Sequence, residues 1–264
     1  MIRFLTGWSN PGGSTIAFIN LVNALNEAGH QAVLAGPHTW HLGKCKAEQV
    51  TRGTKMSVHK DDILVVHFMK IFVARPPVKG FFLSSHEQDL FPLSEVDYSI
   101  FDKIHYVSEH QRDFHGLFNH PHFIIPNILD DLKPNKKPTE KIGGVIGSID
   151  KNKNVHKSIR RALEDGCDKV LIYGMVSDPW YWQTTIAPLI DGETVQYVGY
   201  EEDKQKIYDS ITDVYHSSKL ETWGYIKGEC GLTNTNYHGN ASTDGYWEMS
   251  KKDIVDKWIE EIGA

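Results

Sequence analysis

The chain has 264 residues, a formal net charge of −6, 40% hydrophobic and 23% charged residues. This fits an ordinary globular protein of one large or two small domains, and its mild acidity supplies no broad field for nucleic acid or an anionic membrane. No apolar run approaches the roughly 20 residues a membrane helix needs.

The opening MIRFLTG lacks the long apolar core of a signal peptide and reads as a strand. Further β-branched and aromatic runs follow: HQAVLAG, DILVVHF, GFFLSSH, KIHYVS and HFIIPN. Runs of this kind suit parallel strands buried on both faces. Between the first two, Phe18, Leu21, Val22 and Leu25 fall on one helical face, with Ser14 or Thr15 as the expected cap and Gly29 as the stop. That is a βαβ opening. Residues 131–141, with two prolines and a run of lysines, read as a linker. The strand pattern then restarts in IGGVIGS, KVLIYG, TVQYVGY and DVYHSS, with helical stretches such as NVHKSIRRALEDG between them. The expected organisation is therefore two α/β units, 1–130 and 142–249, and an amphipathic helix at 250–264 that packs back on the first. Three scattered cysteines, Cys45, Cys167 and Cys230, point to a reduced, cytoplasmic setting with buried or idle thiols.

The second half holds the most informative spacing. Glu221 and Glu229 stand eight positions apart in a segment broken by Gly224, Gly228 and Gly231. A continuous helix would separate them by about 12 Å along its axis, but the glycines favour a loop at Glu221 and a short helix starting near Trp223 to Tyr225, with Glu229 inside it. Ligands of open α/β sheets bind beyond the carboxyl ends of the strands, and a helix start offers free N–H groups to phosphate. The segment thus forms an anion cradle with a carboxylate on either side. A nucleotide-sugar, with hydroxyls at both ends and a diphosphate between, needs that layout, although two solvated surface acids would show the same spacing.

The motif Ser218, Glu221, Trp223-Gly224 and Glu229 resembles the paired-glutamate motif of the retaining glycosyltransferases of family 4, and the resemblance extends along most of the chain. GSIDKNKN is similar to the family's glycine-arginine strand end with a lysine five residues on: Gly147 and Lys153 match, while Ser148 stands at the arginine position. LIYG with Gly174, VQYVGYEED with Gly199 and Tyr200, NPGGS with Gly12 and Gly13, SSHEQ with His86, VSEHQRD and IIPNILD resemble the remaining family segments in their order.

The resemblance implies a GT-B fold: two Rossmann-like parallel-sheet domains facing a central cleft, acceptor on the first and donor on the second. It implies a metal-independent glycosyltransferase of hexose or pentose, without cofactor, using a UDP- or GDP-linked donor. Glu229 would take the ribose hydroxyls, Glu221 the sugar hydroxyls, and Lys153 the diphosphate. Backbone groups at Gly12, Gly13, Trp223, Gly224 and Tyr225 would approach phosphate or sugar, Gly174 and Tyr200 would line the donor site, and His86 would face the sugar. Ser148 offers one weak donor where arginine would clamp phosphate, so Lys227, Lys151 or Arg160 would have to substitute, or catalysis is lost. The acceptor stays open among a glycan, a small molecule and a modified DNA base, as does the oligomeric state. The alternatives are a sugar-nucleotide epimerase and a non-catalytic nucleotide-sugar-binding protein. The histidine pairs in HTWH (38–41) and HPH (120–122) lack zinc-like ligand spacing.

Overall fold

A computed structural model of the protein describes residues 1–6, 12–36, 43–50, 57–67, 74–86, 90, 95–134, 137–239 and 245–264. They form two compact units, Met1–Leu129 with Gly245–Ala264, and Asp130–Asp244.

The first unit is built on a seven-stranded, all-parallel sheet in the order β3-β2-β1-β4-β5-β6-β7. Its strands are β1 (Ile2–Leu5), β2 (Ala32–Gly36), β3 (Ala47–Gln49), β4 (Ile63–His67), β5 (Gly80–Ser85), β6 (Lys103–Tyr106) and β7 (His122–Ile124). Successive residues face opposite sides of a strand, and the sequence supplies large apolar groups to both. Phe4, Val65 and Phe82 pack on one face against α1 (Gly13–Glu27), and Leu64, Val66 and Phe81 fill the other. Helix α7 (Lys251–Ile262) joins the first of these faces with Ile254, Val255, Trp258 and Ile262. Ser250 caps it through Asp253 N, 3.1 Å, and Trp258 meets Phe4, Phe123 and His105 with ring centroids 4.4–5.8 Å apart. The short helix α2 (Glu109–His115) is capped by Ser108.

Two local expectations are corrected here. Helix α1 begins at Gly13 with Gly12 at the N-cap, so Ser14 and Thr15 lie inside it, and no side chain caps its start. The edge strand β3 was not expected, because AEQ carries no apolar run.

The second unit holds a five-stranded parallel sheet in the order β10-β9-β8-β11-β12. The strands are β8 (Ile142–Ile146), β9 (Lys169–Tyr173), β10 (Val195–Gly199), β11 (Asp213–Tyr215) and β12 (Asn236–His238). Helix α3 (Val155–Glu164) covers one face through Val155, Ile159 and Ala162. On the other, α5 (Lys204–Asp209) and α6 (Tyr225–Thr233) bury Ile207, Tyr208 and Cys230 beside Tyr173 and Val214. An irregular helical stretch, α4 (Pro179–Tyr181) continuing through Trp182–Ile186 and Ala187–Leu189, follows β9. β12 was not expected, because NYH carries no apolar run. The stretch 131–141 is stitched to this unit where it is described: Lys137 Nζ donates to Tyr208 O (3.0 Å) and Thr235 Oγ1 (2.6 Å), and Gln205 bonds both backbone groups of Lys133.

Candidate active site

In the second sheet the chain runs from β8 outward to β9 and β10, then returns to the other side of β8 for β11 and β12. The order therefore reverses between β8 and β11, and a crevice forms outside the carboxyl ends at such a switch point. The loops after these two strands carry Lys153 and Glu221.

The first loop is shaped by its own sequence. Asp150 Oδ1 accepts from the backbone N–H of Asn152 and of Lys153, both at 2.9 Å, which folds the loop back on itself. Asn154 then turns the chain into α3 from the left-handed region, φ +48°, a conformation asparagine tolerates better than most residues. Three cross-bonds sew it to the loop after β11: Asn154 Nδ2 to Ser217 O (3.1 Å), Lys219 N to Asn152 O (2.9 Å) and Ser217 N to Ser158 Oγ (3.0 Å).

Lys153 Nζ thereby donates to Glu221 Oε1, and His216 Nε2 lies 3.0 Å from the same oxygen. His216 is oriented from behind by Tyr237 of β12, whose hydroxyl is 3.2 Å from Nδ1. Burial alone would raise the Glu221 pKa, but Lys153 and His216 outweigh it and hold the carboxyl well below its usual range.

Glu229 sits in a separate cluster one helix onward. It is buried on α6, with Oε1 2.5 Å from Lys204 Nζ and Oε2 accepting from Tyr208 OH at 2.7 Å. Lys204 also reaches Asp130 Oδ2 at 2.5 Å and stands over the Tyr225 ring, 5.2 Å from its centroid. Burial works against its charge, yet the two carboxylates raise its pKa.

Between these clusters lies the start of α6. Gly224 is its N-cap at φ +82°, a conformation that suits glycine and opens the first-turn N–H groups. Trp223 is buried, with its ring edge-on to Tyr225 at 4.9 Å. Among the described residues, the buried hydroxyls of Tyr225 and Ser218 have no hydrogen-bond partner.

The strand ends beside this region are glycines in the positive-φ region: Gly147, Gly174 and Gly199. Gly174 has a backbone reason of its own, since a Cβ there would lie 1.8 Å from Gly147 O. Ser148 donates to Ser177 Oγ at 2.6 Å. Of the cations weighed as arginine substitutes, exposed Lys151 is 3.8 Å from Asp178 and Arg160 is beside His156. Tyr200 is 45% exposed after β10, and Trp180 is 68% exposed. Tyr181 points inward and bonds His156 Nδ1 at 2.7 Å.

His86 belongs to the first unit. Its Nε2 is 3.2 Å from Ser84 Oγ, and its ring packs edge-on against Phe18 at 5.0 Å. Gly12 and Gly13 open α1 after β1, with nothing within 4 Å of a Cβ built on Gly12. His38 and His41 lie outside the described residues. No group of three or more metal-ligating side chains occurs among the described residues, and no described helix is long and apolar enough to cross a membrane.

Sequence reading missed His216, Lys204, Tyr208 and Asp130. Lys204 is 25 residues from Glu229, and only the Asp203 N-cap beside it hints at a fixed position.

No protein-family model and no curated protein matches this sequence. Solved structures do. TarM aligns with a TM-score of 0.72 at 13% identity, over 98% of this chain and 91% of that one. HepE of Anabaena, solved in complex with UDP-glucose, aligns at 0.68 and 13%, over 98% and 90%. AviGT4, a glycosyltransferase involved in avilamycin A biosynthesis, aligns at 0.67 and 17%, over 99% and 90%.

Proposed function

We propose that this chain, which has the fold of the GT-B glycosyltransferases, moves a sugar from a nucleotide-diphosphate sugar to an acceptor hydroxyl with retention. The observation that carries the reading is the assembly of Lys153 and Glu221 at the switch point of the second sheet, beside the glycine-opened start of α6. A neighbour of the same fold, HepE, binds UDP-glucose.

Breaking the bond between a sugar and a diphosphate builds negative charge on the leaving oxygens and positive charge on the sugar. Fixed donors aimed at those oxygens lower the barrier. Lys153 and the first N–H groups of α6 supply them, with no protein-bound metal or cofactor. In the free protein Lys153 is held by Glu221; on binding, its ammonium turns to the diphosphate and Glu221 accepts from sugar hydroxyls. Glu229 accepts from the ribose hydroxyls, and Lys204 retains Asp130 as its partner when that happens. The two hydroxyls without partners, on Ser218 and Tyr225, add donors to the same region. Tyr200 and Gly174 border the base, and Ser148 contributes a single hydroxyl. The protein works in the cytoplasm on a hexosyl or pentosyl donor.

A panel of UDP- and GDP-sugars, offered with glycan, small-molecule and hydroxylated-base acceptors, tests this. Release of free nucleotide that depends on the acceptor is the expected result. Donor binding with no turnover across the panel would instead identify a nucleotide-sugar-binding protein.

A further inference from the structure

The two basic neighbours of the Glu221 carboxylate are not equivalent. Lys153 Nζ bonds Oε1 directly. His216 Nε2 is 3.0 Å from the same oxygen, within ion-pair reach, but this buried nitrogen makes no aligned hydrogen bond among the described residues. One oxygen thus has an engaged partner and a waiting one. The waiting ring is firmly placed. His216 directly follows β11 and is 6% exposed. Its backbone N–H donates to His238 O of β12 at 3.1 Å, and the Tyr237 hydroxyl stands 3.2 Å from its Nδ1.

The charged and titratable groups farther out are engaged elsewhere. Asp150 is turned to the N–H groups of its own loop, and Lys219 is exposed. Arg161 of α3 donates to His238 O at 3.2 Å, and His238 Nε2 lies 2.7 Å from Asp213 Oδ1. Glu229 of α6 is held by Lys204 and Tyr208. The groups facing the His216 ring are Glu221 from its own loop, Lys153 from the loop after β8 and Tyr237 from β12. A diphosphate that draws Lys153 away also brings negative charge. It would leave Glu221, 16% exposed, as a buried ion without compensation, which is a costly state. Histidine as a side chain titrates between pH 5 and 8, so a proton is within easy reach. In the charged ring both nitrogens donate: Nε2 to Glu221 Oε1 and Nδ1 to the Tyr237 oxygen.

We propose that His216 is a positioning residue that takes a proton from solvent as the donor binds and replaces Lys153 as the counter-ion of Glu221. This rests on the glycosyltransferase reading for the identity of the donor and on the geometry around Glu221 for the exchange of partners. One N–H bond forms on the ring, one proton leaves the solvent, and no other bond changes. The exchange frees Lys153 for the diphosphate. It also keeps Glu221 ionised, with its second oxygen open to sugar hydroxyls. Donor binding is thereby coupled to proton uptake, and affinity falls as pH rises. A nucleotide-diphosphate sugar is esterified at both ends of its diphosphate and has no phosphate proton to exchange near neutral pH, so the uptake belongs to the protein.

Two measurements on the full-length chain test this. The first needs no donor. In protein labelled with ¹⁵N-histidine, the His216 ring is assigned through His216→Gln or, should that variant not fold, through the displaced Nδ1 signal in Tyr237→Phe. Lys153→Met removes the ammonium as donor binding would. The His216 titration midpoint should then rise by about one pH unit or more, the usual scale for losing a like charge and keeping an opposite one. An unchanged or lower midpoint in folded Lys153→Met overturns the proposal. The second is calorimetric titration of UDP- and GDP-sugars in buffers of different ionisation enthalpy. At pH 7.5 an ordinary histidine is about nine-tenths neutral, so wild type should take up close to about one proton per donor bound. Its affinity should fall by up to about tenfold per pH unit above neutrality. In His216→Gln the uptake should vanish and the affinity should become flat with pH. Donor binding to wild type without proton uptake, or with equal uptake in His216→Gln, overturns the proposal. Absence of donor binding to wild type would sink the glycosyltransferase reading, whereas the histidine titration would still decide the exchange of partners.

Discussion

The two units differ in the polar groups they bury beside their strand ends. In the second, charges are placed in pairs: Lys153 with Glu221, and Lys204 between Glu229 and Asp130. The first also buries an ion pair, Arg3 with Asp62, at the start of β1, but at the far ends of β5 and β6 it joins uncharged groups, His86 to Ser84 to His105 to a carbonyl. Burying an ion is costly unless a partner compensates it, whereas a neutral hydrogen-bonded chain avoids that cost. The contrast suits two tasks. Paired ions can be re-partnered by an incoming diphosphate or diol, and the pairs mark where charge is expected to arrive. A neutral chain cannot re-partner so easily, and it fixes direction instead.

Removing one member of the charged set should have the largest effect. Lys204→Met leaves Glu229 buried beside Asp130 without a cation, and removal of one partner of a buried pair typically costs about 3–5 kcal/mol. Urea denaturation should show a loss near the lower end, since Tyr208 still bonds Glu229; a change under about 0.5 kcal/mol would mean that the pair is solvated and the contrast between units false. Lys153→Ala should slow transfer by about 10²-fold, the scale of one lost transition-state donor, and steady-state kinetics with saturating donor read it directly. In the neutral chain, Ser84→Ala leaves His105 Nδ1 without a donor and should cost about 1–3 kcal/mol, read as a lower urea midpoint at unchanged slope.

The smallest effect is the dependence on pH. The Glu221 pKa is depressed in the folded protein, so its contribution to stability is fully present above the unfolded carboxylate value of about 4.3. That contribution is lost as pH falls through the folded value. In Lys153→Met the folded value rises, so acid should destabilise the variant relative to its own neutral-pH stability less steeply below pH 4. Parallel stability curves for the two proteins would detach Lys153 from Glu221. The neutral histidine chain works in the same direction, in a higher pH window. His105 must charge to break the chain, and unfolding releases a histidine that binds a proton near pH 6.5. Its stabilisation is present above that value and declines as pH falls toward 3.

Much of the architecture was legible because it is written in local pattern. Both sheets read as parallel from runs such as DILVVHF and KVLIYG, whose central residues are apolar on both faces and therefore belong between two covered faces. Strands β3 and β12 escaped notice for the converse reason: AEQ and NYH are short edge strands with mixed exposure and no apolar run. The start of α1 was misplaced because Ser14 and Thr15 are good capping residues, whereas the backbone uses Gly12 and leaves Thr15 buried inside the helix.

For the candidate site, spacing picked out Glu221 and Glu229 in a segment broken by glycine, and only the family resemblance added Lys153. It could not show that Lys153 meets Glu221 across 68 residues, because that contact depends on β8 and β11 being neighbours, a fact of sheet order. Nor could it find Lys204, Asp130 or His216, which acquire meaning only from the partner each one reaches. The chain through Ser84 was equally hidden, as it joins β5 to β6 and ends on a main-chain oxygen that no residue name encodes.

The central claim is that the lysine after β8 and the glutamates around α6 form a seat for a nucleotide-diphosphate sugar. Calorimetric titration of UDP- and GDP-sugars into wild type and Lys153→Ala tests it most directly. Saturable binding of at least one donor to wild type, weakened about tenfold or more in the variant, is the expected result. Equal affinity for both proteins, or no binding of any diphosphate donor to wild type, would contradict it.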